Sequence, residues 1–323
     1  MSPRGKVRAL SAEIDAALAL LDEYAASADQ PVQESFPSLL AQCEAMCAGF
    51  EGPEPVRSLH QFACTGGTLI AKCIAALPGV VLLNEIDPLS RMKLKPGTEK
   101  PPFAPTDMFI ALQQSLRRVD QDVTARAFRA AVEASAAALA DRGQDLVIRD
   151  HAHSQFCTRI DPAGRQTLHE ILAADRTEDG AEDGAGGAGG NRPLLSVVTV
   201  RHPLDSFLSL TVQGWLHFAP PTLDEYALRY TAFLDRHAGL PVLKYEAFAA
   251  DPMAGLQRLC RLLSLPFHPV ALDAFRIIRI SGDSGRAGAR VTPRPRRDVP
   301  PEIEAQRGGP AYAALCARMG YDV

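Results

Sequence analysis

Four short stretches combine residue types that could hold an anion and move a proton. The first is Phe62-Ala63-Cys64-Thr65-Gly66-Gly67-Thr68, which follows an apolar run and opens a helical pattern. Glycines let backbone N–H groups close around an anion, and the helix behind them aims its positive end at the same point. Thr65, Gly66, Gly67 and Thr68 are therefore the candidate cradle; a plain tight turn is the competing interpretation. The loop lacks the lysine that directly follows a glycine in magnesium-dependent phosphate loops, since Lys72 comes five residues after Gly67. One helical turn beyond Thr68, with its side chain leaning back toward the helix start, Lys72 could still reach a bound anion. The alternative for Lys72 is a solvated side chain.

The second stretch is VVTVRHPLDSFLSL. Arg201 ends an apolar run, a proline follows, and Ser209 lies eight residues on. That places a guanidinium fork at a strand tip and a hydroxyl on the helix behind it, a pair suited to phosphate. The third, DLVIRDHAHSQF, sets Arg149, Asp150, His151 and His153 just past another strand tip. An imidazole, with an ordinary pKa near ~6.5, is a good acceptor for an alcohol proton. In an extended chain His153 would point to the same side as His151. The fourth, VVLLNEIDPLS, puts Glu85 and Asp87 after a further apolar run; Glu85 is an alternative base, and Asp87 suits a capping or orienting role. His151 and His153 lack a third ligand of suitable spacing, so no metal is expected.

The elements that must position these residues follow from the pattern. SLHQFAC, VVLLN, DLVIRD, LLSVVTV and PVLKY are five strand candidates, most too uniformly apolar for a sheet with one wet face, which predicts a parallel sheet covered on both sides. Helices are predicted from near Gly67, over an alanine-rich segment ending at Gly143, after Pro203, from the Thr222 to Glu225 cap, and after Pro252. Leu10, Ile14, Leu18 and Leu21 share one helical face, so residues 1–55 read as a helical N-terminal extension to an α/β domain over 56–323. Within that domain 174–193, rich in Gly and acidic residues, is an expected flexible insertion.

At 323 residues with a formal net charge of −4, the chain has no general basic field, and a nucleic-acid role is not expected. Seven scattered cysteines, among them Cys43 and Cys47 one helical turn apart, and the absence of an apolar leader fit a reducing cytoplasm. No run approaches the ~20 apolar residues of a membrane span.

Together, the strand followed by TGGT, the strand tip VRHPLDSFLS and the later VLKYEAFAADPMAGLQRLCRLLSLPFHP resemble the P-loop sulfotransferases that use 3′-phosphoadenosine 5′-phosphosulfate (PAPS). The resemblance spans roughly residues 57–290. It implies a P-loop-type three-layer α/β fold with a roughly five-stranded parallel sheet, and PAPS as co-substrate without a metal. It assigns the 5′-phosphosulfate to Thr65, Gly66, Gly67 and Thr68, and the 3′-phosphate to Arg201 and Ser209. Tyr245, Glu246, Asp251 and Pro252 take architectural roles. By the same resemblance His151 is the base and Arg149 contacts the sulfuryl oxygens, with Glu85 the other base. ISGDSGRAGAR matches the loop over the 3′-phosphate, led by Arg286 with Ser284 and Arg290. Thr65 stands where most members carry a basic residue, and Lys72 or Arg149 are the expected substitutes. The implied acceptor is a carbohydrate or small-molecule hydroxyl, its pocket formed by 90–105, Trp215 and His217. A kinase-like phosphotransferase and a silent nucleotide-binding member are the alternatives. Arg294, Arg296 and Arg297 are expected in a solvated tail, and the oligomeric state is left open.

Overall fold

The computed structural model describes residues 37–38, 40–42, 53–90, 92, 108–113, 115, 117, 119–174, 192–281 and 290–323. By its internal contacts the chain divides into Met1–Ala41 and Gln42–Val323; everything below concerns the second unit. Almost all of the expected 1–55 extension, including Cys43 and Cys47, lies outside the described residues, as do nearly all of the insertion at 174–193, most of 90–105, and Ser284 and Arg286.

The five apolar runs are five strands: β1 (Val56–Gln61), β2 (Val80–Ile86), β3 (Asp145–Asp150), β4 (Leu194–Val200) and β5 (Val242–Lys244). They form one sheet in the order β2-β3-β1-β4-β5, and every neighbouring pair is parallel. Burial on both sides fits the mostly apolar sequence of β4, whereas β1 carries Arg57, Ser58, His60 and Gln61 and β3 carries Asp145, Arg149 and Asp150. The protein is thus an α/β fold around a five-stranded parallel sheet.

Nine helices matter here: α1 (Gly67–Ala75), α2 (Gln121–Ala140), α3 (His153–Phe156), α4 (Leu168–Ala173), α5 (Pro203–Val212), α6 (Leu223–Arg236), α7 (Tyr245–Ala250), α8 (Pro252–Leu262) and α9 (Pro310–Met319). Their starts follow local chemistry. Thr222 accepts from the Glu225 N–H, Asp251 accepts from the Ala254 N–H, and Pro203 and Pro252 occupy first turns where a missing N–H costs nothing. Tyr245 opens α7 instead of closing the last strand. One apolar cluster joins Phe128 and Val132 of α2 and Ile171 of α4 to Ile148 of β3. A second joins Phe207 of α5 and the α6 aromatics Tyr226, Tyr230 and Phe233 to Phe62.

Two features of the sheet decide where function can reside. The chain passes from β1 outward to β2, returns as β3 beside β1, and then crosses to β4 on the other side, so a crevice opens at the carboxyl ends of β1, β3 and β4. Strand alternation then divides the polar residues between faces. Ser58 is level with Ile148 and Ser196, and His60 with Val198, whereas Leu59 is level with Arg149. Ser58, His60, Ser196 and Asp150 therefore share one face, while Gln61 and Arg149 take the other.

Candidate active site

At the carboxyl end of β1 the chain turns through 62–66 into α1. Cys64 adopts φ 61° and Gly66 φ 83°, both left-handed. Gly66 is required for a second reason: a Cβ there would lie 2.2 Å from the Tyr245 ring. A Cβ at Gly67 would overlap the Gln61 side-chain amide, 1.3 Å from Oε1. Tyr245 packs against Gly66 and the end of the flexible Gln61 side chain against Gly67, so it is Gly66 that the turn requires, for its backbone and its contact alike.

Arg201 reaches this loop from β4. Its Nη1 donates to the Cys64 carbonyl at 3.4 Å and to Ser209 Oγ at 3.4 Å, and its guanidinium lies 5.1 Å from the centre of the Tyr245 ring. Ser209 in turn donates to the Asp205 carbonyl at 2.9 Å within α5. The guanidinium, the hydroxyl and the glycine loop, expected to share one crevice, do so. Tyr245, read from sequence as architectural, is also a wall of the site.

The opposite side is organised by Arg149, only 3% exposed. Its Nη2 donates to Thr68 Oγ1 at 2.9 Å and its Nη1 to Asn84 Oδ1 at 2.6 Å, with Glu85 Oε1 3.8 Å from the same nitrogen. Asn84 also donates to the hydroxyl of Ser281 at 2.8 Å. Asn84 and Glu85 are consecutive, so a regular strand would send them to opposite faces. Glu85 has φ 55° and the β2–β3 register shifts between Leu83 and Ile86. This bulge turns both side chains toward Arg149, the kind of local irregularity that re-aims a functional side chain.

Thr65 lines the crevice, but its hydroxyl is committed within the loop, donating to the Phe62 carbonyl at 2.7 Å, and the residue is 1% exposed. It closes the loop on itself and offers a ligand only its backbone. Lys72 is buried rather than solvated, at 8% exposure, and lines the same cavity as the glycine loop.

That cavity has a volume of about 610 Å³. His151, Glu85, Arg149, Arg201 and Ser209 all line it. Trp215 and His217 form another part of its wall. His153 differs from expectation, because residues 153–156 form the helical turn α3 and do not extend the strand. Its ring nevertheless stacks 6.1 Å from that of His151 and meets His217 edge-on at 5.5 Å. Burial, reinforced by His151 and His217, lowers the His153 pKa to about 4. It is therefore a neutral spacer between His151 and His217. Asp87 has the orienting role expected: it pairs with Arg165 through both oxygens, at 2.7 and 2.5 Å, accepts from Ser154, and caps the Leu89 N–H.

The tail is exposed as expected, Arg294, Arg296 and Arg297 included, but it also borders the crevice. Arg294, Pro295 and Arg297 line the cavity, and Arg296 pairs with Asp205 at 2.7 Å. Residues 290–299 carry no regular structure, yet they return across the crevice and add cations to the Arg201 side. Arg290 is exposed.

No family model and no curated protein matches the chain. Solved structures do. Three of them are sulfotransferases or sulfotransferase domains. One is the sulfotransferase domain of the Synechococcus PCC 7002 olefin synthase, at 17% identity and TM-score 0.43, covering 85% of this chain and 97% of that one. A second is the sulfotransferase domain of the curacin biosynthetic pathway, at 14% identity and TM-score 0.44, covering 84% and 100%. A third, a sulfotransferase from Alicyclobacillus acidocaldarius, has 13% identity and TM-score 0.40, covering 84% and 98%. Among the described residues no helix is long and apolar enough to cross a membrane.

Proposed function

We propose that this chain is a PAPS-dependent sulfotransferase that moves a sulfuryl group to a hydroxyl of a small-molecule or carbohydrate acceptor. One observation carries the proposal: Arg201 Nη1 lies within reach of both Ser209 Oγ and the Cys64 carbonyl of the glycine loop. The two phosphate positions of PAPS belong to one ribose, so the grips for them must adjoin. Here a guanidinium–hydroxyl pair stands directly against a glycine loop that ends on a helix start, in one cavity large enough for a nucleotide.

The chain's own residues account for the transfer. The acceptor oxygen attacks sulfur as its proton passes to His151 or Glu85, while the bond from sulfur to the bridging phosphate oxygen breaks. Adenosine 3′,5′-bisphosphate leaves with that oxygen's electron pair. Arg149, fixed by Thr68 and Asn84, and the buried Lys72 supply the positive charge that Thr65 lacks. A cation held by two protein acceptors before substrate arrives needs little reorganisation during the reaction.

Thr65, its hydroxyl committed within the loop, also favours a second reading, a silent member that binds adenosine 3′,5′-bisphosphate without turnover. Calorimetry with that bisphosphate and turnover of labelled PAPS over an acceptor panel separate the two. Binding with transfer supports the enzyme, and binding without transfer on any acceptor supports the silent member. A strict magnesium requirement with ATP turnover would replace both by a phosphotransferase.

A further inference from the structure

On the sheet face opposite Arg149, the fold buries a second polar cluster that the transfer reaction does not use. His60 of β1 is 0% exposed, Asp150 at the end of β3 is 4% exposed, and His237 just after α6 is 3% exposed. One ligand-capable atom from each, two imidazole nitrogens and a carboxylate oxygen, lie within 4.8 Å of one another. A purely hydrophobic strand would suit this position in the core, so the cost of burying three polar side chains needs an explanation.

The hydrogen bonds fix which atoms are available. His237 Nδ1 donates to the Phe233 carbonyl at 2.7 Å, because a carbonyl can only accept. In a neutral imidazole its Nε2 then carries a lone pair, and that buried atom has no hydrogen-bond partner among the described residues. A ring N–H held by a backbone carbonyl, with the other nitrogen left as a lone pair, is how proteins orient a metal-binding histidine. His60 has a matching outer contact. Its Nε2 lies 2.8 Å from Ser58 Oγ, Ser58 Oγ lies 2.8 Å from Ser196 Oγ, and Ser196 Oγ lies 3.2 Å from His169 Nδ1. Read as donors in sequence from His60 Nε2–H, this chain ends on His169 Nδ1 and leaves His60 Nδ1 as a second lone pair. That nitrogen is 3.1 Å from Asp150 Oδ2.

We propose that His60, Asp150 and His237 form a buried structural site for a divalent first-row transition ion, zinc by preference. Two imidazoles and one carboxylate are a zinc donor set, with Zn–N bonds of about 2.0–2.1 Å. Tetrahedral ligand atoms at that bond length stand about 3.4 Å apart, so the present spacing closes by roughly an ångström when the ion enters. The ion would tie the end of β1 to the end of β3 and to α6, immediately behind Arg149 and His151. The proposal does not depend on the assignment of the crevice to PAPS.

The test is metal retention by the full chain. Wild-type protein is stripped with EDTA, dialysed against zinc, desalted and assayed by mass spectrometry; one equivalent is expected. His237→Gln should weaken binding at least about 10-fold to 100-fold, as loss of a ligand or its support does, while His217→Ala at the crevice mouth should leave it unchanged. Cobalt in place of zinc should give the visible bands of a four- or five-coordinate nitrogen and oxygen site, a readout available from the wild type even if a variant fails to fold. No retained metal, a thiolate-to-cobalt band, or loss of metal in His217→Ala with retention in His237→Gln would each overturn the site.

Discussion

Asn84 Oδ1 accepts from Arg149 Nη1 at 2.6 Å, across two strands and 65 residues of sequence. The bulge at Glu85 is what allows Asn84 to face Arg149 beside its neighbour. Asn84 is thereby a positioning residue for the cation that donates to Thr68. Asn84→Ala should lower kcat about 10-fold to 100-fold, roughly the loss of one hydrogen bond to a charged group, with little change in the affinity for adenosine 3′,5′-bisphosphate. A cycle with Arg149→Ala checks the relationship. The double variant should be no slower than Arg149→Ala alone, and fully additive losses would separate the two residues.

Arg201→Ala should weaken calorimetric binding of adenosine 3′,5′-bisphosphate by about 10-fold to 100-fold, the range for a charge-assisted hydrogen bond. Ser209→Ala should cost less, about 3-fold to 10-fold, because a neutral hydroxyl contributes less. Undiminished affinity in Arg201→Ala would remove the crevice assignment.

Gly66→Ala places a methyl group 2.2 Å from the Tyr245 ring in a left-handed backbone. Backbone strain alone costs about 1–2 kcal/mol, and the clash must also displace the ring beside Arg201. The expected result is a lower denaturation midpoint together with loss of nucleotide binding. Gly214→Ala is the control: it is also left-handed but opens onto space, so it should lose stability and keep binding.

The two base candidates separate by rate. His151→Ala should reduce kcat by about 100-fold to 10,000-fold, the usual contribution of a general base, and Glu85→Gln by less than about 10-fold. The reverse order in single-turnover measurements would transfer the role to Glu85.

In the EDTA-stripped chain, stability should fall as the pH drops from about 6.5 to about 4. His153 and His237 both have folded pKa values lowered to about 4 by burial. In that window the unfolded chain binds protons that the folded chain does not, so acid favours unfolding. Asp150, raised to about 7 by burial, acts in the opposite sense, because the folded chain holds a proton that the unfolded chain has released. Burial lowers His60, His169 and His202 as well and raises Asp145, so the histidines outnumber the carboxyls that act in the opposite sense and the slope keeps this sign. Urea midpoints across that range measure it, and a flat profile would contradict the sign.

Local sequence was enough for the framework and for half of the site. Five runs rich in apolar residues specified five parallel strands, because a sheet covered on both faces favours apolar side chains on both sides of its strands. The glycine pair after β1 and the eight-residue step from Arg201 to Ser209 were legible because each works through one strand, one turn and one helix. Only the tertiary structure turned Thr65 into its own loop, buried Lys72, and returned Arg294 and Arg297 to the crevice from a segment whose composition reads as a solvated tail. It alone joined Asn84 to Arg149, and His60 to Asp150 and His237. The reason is physical. Periodicity records which face a residue takes on its own element, whereas contacts across 65 or 90 residues depend on strand order, register and a bulge, which no short stretch of sequence encodes.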